Sequence, residues 1–216
     1  MVNLNSSIFE TLREHRIIAI ARNIPNSGAD EIAEALYGGG IRLVEVTLNT
    51  PDAPLIIARW RARFEGRMRV GAGTVLDVKM AHAAIEAGAE FLISPHCEES
   101  VIAFGAQNGI ATFPGALTPT EIVRAWQAGA TAIKVFPSAT FGAAYFRELR
   151  GPLPQIPLVA VGGISAANLA EFLDAGAIGV GIGGNLVDLK RIVEKRFEEI
   201  KALAEDCVRA ARGEAA

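Results

Sequence analysis

The chain has 216 residues, 50% of them apolar and 21% charged, which excludes a disordered or collagen-like chain and suffices for one large domain. Its formal net charge of −3 argues against a general nucleic-acid binder, and no apolar run approaches the roughly 20 residues that cross a bilayer. The opening MVNLNSSIFETLREHR carries charges where a signal peptide needs an apolar core, and Cys97 and Cys207 share no metal or redox spacing. The expectation is a cytoplasmic protein with reduced thiols.

In chain order, residues 5–14 read as a leading helix placed to cover one end of the fold. Apolar, β-branched runs follow at Ile17–Arg22, Arg42–Leu48, Arg69–Thr74, Glu90–Pro95, Ile110–Pro114, Ala132–Phe136, Leu158–Val161 and Ile178–Ile182. These runs are continuous rather than alternating, as in parallel strands buried on both faces. Between them lie amphipathic stretches with apolar residues three and four apart, such as Ile32 and Leu36, or Leu169, Phe172 and Leu173. Several of these stretches end at a glycine (Gly88, Gly109, Gly129), where a helix C-cap takes a left-handed residue. Eight βα units describe an α/β fold: a (β/α)8 barrel over residues 1–216, with a leading helix over about 1–15 and a frayed tail over about 209–216. An open doubly wound sheet is the competing architecture.

Barrel sites form at the carboxyl ends of the strands, so polar groups that interrupt or end the apolar runs carry the information. Lys134, between Ile133 and Val135, is the one lysine inside a strand; Lys79, Lys190, Lys195 and Lys201 fall in helical stretches. Desolvation disfavours its ammonium form and frees an amine that attacks carbonyl carbon through a Schiff base. A structural ion pair is the competing reading. Glu45, inside the second run, is set to have a raised pKa and to move protons, or else to neutralise Lys134. Arg22 ends the first run with a fork that fits carboxylate or phosphate, or is a surface arginine. Thr74 ends the third run as a candidate hydroxyl ligand or a helix N-cap. Gly162 and Gly163 follow the seventh run, with Ser165 as an N-cap, and Gly183 and Gly184 follow the eighth. Exposed N–H groups in these two loops suit phosphate, although tight turns also need glycine. His15, His82 and His96 are scattered and give no metal-ligand spacing, so no metal is expected. The charge-rich stretches RARFEGRMR and KRFEEIK read as solvated helix faces.

With these positions placed, the chain resembles the 2-keto-3-deoxy-6-phosphogluconate / 4-hydroxy-2-oxoglutarate aldolases, the class I pyruvate aldolases. The resemblance runs from about Ile17 to Asn185. It rests on E-V-T-L at 45–48, G-A-G-T-V-L at 71–76, I-S-P at 93–95, F-P-G at 113–115, K-V-F-P at 134–137 and G-G-I-S at 162–165. It implies Lys134 as the Schiff-base residue and Glu45 as general acid/base, with no cofactor. It also implies Arg22 and Thr74 on the carboxylate or nearby oxygens, Pro95 and Phe136 as pocket walls, and Gly162, Gly163, Gly183 and Gly184 at the phosphate end. The substrate would be a small keto-acid sugar phosphate, with no nucleic-acid or membrane partner, and the assembly a homotrimer. Asn49 stands where many members carry a substrate-contacting arginine, and Gly184-Asn185 replaces a common Gly-Ser. Asn49 and S-A-T-F-G at 138–142 resemble the 6-phosphogalactonate branch, in which Arg22 takes a larger binding role. Competing readings are another phosphate-binding barrel enzyme (isomerase, epimerase or synthase) and a catalytically silent assembly protein.

Overall fold

The computed structural model describes residues 4–214. Nine parallel strands form one sheet: β1 Ile17–Ala21, β2 Leu43–Thr47, β3 Arg69–Gly73, β4 Phe91–Ile93, β5 Ala111–Phe113, β6 Gly115–Ala116, β7 Ile133–Val135, β8 Leu158–Val161 and β9 Gly179–Ile182. Their order is β5-β4-β3-β2-β1-β9-β8-β7-β6. The two ends of that order are adjacent in the chain, because β5 and β6 are halves of one barrel strand divided by Pro114. Proline has no N–H for the ladder, so the strand changes partner there: β5 pairs with β4, and β6 pairs with β7. The Lys134 N–H donates to the Pro114 carbonyl at 2.9 Å and the Thr131 N–H to that of Thr112 at 3.0 Å, which closes the ring. The eight expected runs are therefore the eight strands of a (β/α)8 barrel: the seventh is unchanged, the fifth is split and continues to Ala116, and the others are shortened by one or two residues at one or both ends.

Alternation along the strands separates two apolar layers. Ile18, Ile20, Leu43, Phe91, Ile93, Phe113, Val159 and Val161 fill the barrel, while Ala19, Val44, Val46, Val70, Ile133, Val135, Val180 and Ile182 pack against the helices. Helix α1 (Leu4–His15) closes the amino end, where its Ile8 and Leu12 join the inner layer. A Cβ on Gly179 would stand 2.7 Å from Leu12 Cδ1, so glycine there admits the plug.

Around the barrel run α2 (Ala29–Gly38), α3 (Ala53–Arg63), α4 (Val78–Glu86), α5 (Glu99–Gln107), α6 (Pro119–Gln127), α7 (Ser138–Arg150), α8 (Leu169–Asp174), α9 (Leu189–Val193) and α10 (Phe197–Arg212). The tail expected to fray from 209 is helical to Arg212, because Cys207 and Ala211 are buried and hold the last turns down. Residues 1–3 and 215–216 lie outside the described residues. The stretch 61–69 is no solvated helix face either: α3 ends at Arg63, and Arg61 and Arg69 both pair with Glu90. Among the described residues no helix is long and apolar enough to cross a membrane.

Candidate active site

Glu45 stands at the middle of β2, in register with Ile20 of β1 and Gly71 of β3. Alternation turns it inward, where its residue exposure is 0% and neither carboxylate oxygen has a hydrogen-bond partner among the described residues. The neighbouring strand makes room for it: a Cβ on Gly73 would lie 2.6 Å from both Cδ and Oε1 of Glu45. Lys134, on β7 between Gly115 and Val159, is 4% exposed. Three strands separate β2 from β7 in the sheet, yet the ring brings the two side chains to one small internal cavity walled by Ile18, Ile20, Ile93, Phe113, Val159 and Val161.

Each charge is tuned mainly by burial. Loss of water pushes the Glu45 carboxyl up to about 7, against the smaller opposing pull of Lys134 and then Arg22. Loss of water lowers the Lys134 amine; Glu45 opposes this and Arg22 adds to it. The pair thus offers an amine with a raised free fraction beside a carboxyl able both to give and to take a proton near neutrality. The Phe136 ring, with its centroid 5.0 Å from Lys134 Nζ, offers a partial cation–π contact to the protonated amine.

Lys134 also borders a second, open pocket of about 340 Å³ at the carboxyl ends of the strands. Arg22, Phe136, Gly162, Gly163, Gly183, Gly184 and Asn185 line it. Arg22 is exposed and makes no hydrogen bond or ion pair among the described residues, so its guanidinium is free for an anion. The N–H groups of Gly163 and Gly184 donate to no carbonyl among the described residues. Gly162 and Gly163 hold φ of 98° and 73°, and a Cβ on Gly163 would come within 2.5 Å of Ala139 Cβ, so this turn demands glycine. Asn185 Nδ2 donates to the Ile164 carbonyl at 2.8 Å and ties the two glycine loops together.

The other expected residues are distributed less tightly. Asn49, Thr74 and Pro95 follow β2, β3 and β4 on the same rim, outside the lining of the Lys134 pocket. The helix-cap reading of Thr74 is corrected: Asp77 caps α4 by accepting from Met80 N at 2.7 Å, and Thr74 holds a left-handed φ of 57°, uncommon for a β-branched residue. Ser165 is likewise not the cap of α8; Asn168 is, with its Oδ1 accepting from Ser165 N at 2.9 Å. Thr47 and Thr50, which sequence reasoning passed over, are buried and share a 3.0 Å hydroxyl bond, and Thr50 Oγ1 accepts from Asn23 N at 2.9 Å. They join the ends of β1 and β2 directly beside Arg22. A wider groove of about 580 Å³ lies at the opposite end, beneath α1. Its Arg150 ends α7 and donates to the Ile156 carbonyl, as suits a cation at a helix carboxyl terminus.

A parallel barrel with a buried amine facing a buried carboxylic acid, open to a glycine-lined pocket, is the architecture of an enzyme that works on carbonyl compounds through a lysine. The particular lineage follows from comparison: the model of the KDPG and KHG aldolase family matches residues 8–203, and the chain belongs to that family. It is 34% identical over 187 residues to the 2-dehydro-3-deoxy-6-phosphogalactonate aldolase of Escherichia coli, spanning 86% of this chain and 91% of that one. It is also 34% identical over 200 residues to the 2-dehydro-3-deoxy-phosphogluconate aldolase of Treponema pallidum, spanning 92% and 95%. A solved KDPG aldolase from Legionella pneumophila, holding pyruvate as a covalent carbinolamine, superimposes with a TM-score of 0.85 at 28% identity over 93% of this chain and 96% of that one. The protein is an aldolase of the class I, carbon–carbon lyase type.

Proposed function

We propose that the chain cleaves a 2-keto-3-deoxy sugar acid 6-phosphate, of the galactonate series by preference, to pyruvate and D-glyceraldehyde 3-phosphate. The observation that carries this reading is the single internal cavity shared by Lys134 and Glu45. The galactonate preference draws support from Asn49, from Arg22, which has no hydrogen bond or ion pair among the described residues, and from the Escherichia coli relative. In the same reading residues 1–216 form one aldolase domain, the enzyme is a cytoplasmic homotrimer, and it uses no cofactor.

Lys134 Nζ, as free amine, attacks the C-2 ketone and forms a carbinolamine, whose hydroxyl takes a proton from the Glu45 carboxylic acid through water and leaves as water, giving a cationic iminium. Glu45, as carboxylate and through a water, takes the C-4 hydroxyl proton. The C-3–C-4 electron pair then flows into the iminium, which becomes a neutral enamine, and glyceraldehyde 3-phosphate departs. Protonation at C-3 restores an iminium, and water hydrolyses it to pyruvate and the free lysine. Arg22 and Thr74 hold the carboxylate end, Asn49 contacts substrate hydroxyls, Pro95 and Phe136 wall the pocket, and Gly162, Gly163, Gly183 and Gly184 present N–H groups to the phosphate. With 4-hydroxy-2-oxoglutarate the same steps give pyruvate and glyoxylate.

Pyruvate-release assays on the two phosphorylated epimers and 4-hydroxy-2-oxoglutarate test the proposal. The galactonate epimer is expected to give the highest kcat/KM. Faster release from the gluconate epimer overturns the preference, and no release from any of the three overturns the function. Sedimentation equilibrium at three times the chain mass tests the trimer.

A further inference from the structure

We propose that Ser138 is a positioning residue for this cleavage, its hydroxyl clamping the carboxyl ends of β7 and β8 and so setting the span between Lys134 and the glycine loop at 162–163. The inference rests on the function proposed above. A serine that opens a helix ordinarily spends its hydroxyl on its own helix N-terminus. Ser138 opens α7 but does not: the cap position is Pro137, which makes no side-chain bond. The side chain is 1% exposed, and its Oγ donates to the Val135 carbonyl at 2.7 Å and accepts from Val161 N at 3.0 Å.

Both partners belong to the site. Val135 follows Lys134 directly, while Val161 precedes Gly162 and lines the cavity that Lys134 and Glu45 share. The register pairs Val135 with Ala160, so the hydroxyl sits at the last rung between the two strands. One residue on, Ala139 N donates to the Gly162 carbonyl at 3.0 Å. A substrate held covalently at C-2 by Lys134 and by its phosphate at the glycine amides has its reacting C-3–C-4 bond between two fixed points. The spacing of those points therefore sets the alignment of the bond, and small misplacements are costly to rate. A substrate without a phosphate uses only the lysine end and is far less sensitive to that spacing.

The test compares kcat/KM for the phosphorylated keto acid with kcat/KM for 4-hydroxy-2-oxoglutarate, as a ratio, in wild type, Ser138→Ala and Ser138→Thr, alongside melting temperatures. In Ser138→Ala the ratio is expected to fall about tenfold, mostly through kcat for the phosphorylated substrate, as for loss of one buried hydrogen-bonding partner that aligns the bond. Ser138→Thr keeps the hydroxyl and is expected to restore the ratio. A ratio in Ser138→Ala equal to wild type overturns the clamp, as does an equal loss toward both substrates. An equally low ratio in a folded Ser138→Thr also overturns it, because the hydroxyl is then not the cause. A wild type inert toward both substrates overturns the function and the clamp with it.

Discussion

Two buried glutamates, one at the amino end of the barrel and one inside it, lie in opposite circumstances. Glu90, just before β4 at the amino end, is 4% exposed and fully engaged: Oε1 accepts from Arg69 at 2.8 Å, and Oε2 accepts from Val70 N at 3.0 Å and forms an ion pair with Arg61 at 3.0 Å. Glu45, deeper in the barrel and nearer its mouth, has two oxygens without a hydrogen-bond partner among the described residues and a carboxyl raised to about 7. Burial with partners makes a charge a structural rivet; burial without them leaves the proton mobile and the group reactive. The barrel thus keeps a closed, satisfied end for stability and an unsatisfied end for chemistry.

The sharpest way to break this comparison is at the unsatisfied end. Lys134→Ala should reduce aldol cleavage by about 10⁴-fold or more, since the electron sink is lost, with little change in melting temperature. Steady-state pyruvate release checks this, and activity within tenfold of wild type would separate the lysine from the chemistry. Glu45→Gln should slow turnover by about 10²–10⁴-fold while still forming some pyruvate adduct, because proton transfer is lost and the amine is kept. Unchanged turnover would make Glu45 a counter-ion only. At the satisfied end the expectation inverts. Glu90→Ala should cost about 3–5 kcal/mol in a denaturant titration by stranding Arg61 and Arg69, with KM and kcat of the folded fraction held. A loss of turnover without a loss of stability would contradict the division of roles.

The smallest expected effect is in pH dependence. Glu45 titrates near 4.5 when unfolded and at about 7 when folded, so between those values the folded chain keeps a proton that the unfolded chain has lost. Its contribution to stability is complete below 4.5 and is lost as pH rises through about 7, on the order of 3 kcal/mol over that window. Lys134, lowered in the fold, contributes with the opposite sign: its part is lost as pH falls through its folded value. Unfolding free energies at stepped pH should therefore show a decline in wild type between 4.5 and 7 that Glu45→Gln flattens. A profile identical in the two proteins would remove the buried-carboxyl account.

The barrel was legible because its strands are buried on both faces, which writes each as an unbroken β-branched run ahead of a glycine-ended helix. Lys134 and Glu45 were legible for the same reason, as charges standing alone inside such runs. What escaped depends on partners far away in sequence. Glu90 read only as the first residue of a strand, and its pairing was hidden because Arg61 and Arg69 reach it from α3 and β3. Thr74 and Asp77 are both sound helix caps by residue type, and the backbone turn at Thr74 decided between them. The cross-strand bonds of Ser138 join β7 to β8, which lie 23 residues apart along the chain, and became visible once the strands were paired. The division of the fifth strand did have a signal, a proline inside an apolar run.

The most direct measurement is reductive trapping. Incubating the protein with pyruvate and borohydride and mapping the product by peptide mass spectrometry should give a single reduced pyruvyl adduct, on Lys134. A wild-type protein that acquires no adduct, or acquires it on a helix-surface lysine such as Lys79 or Lys201, would contradict the assignment of a carbonyl-capturing amine to the barrel interior.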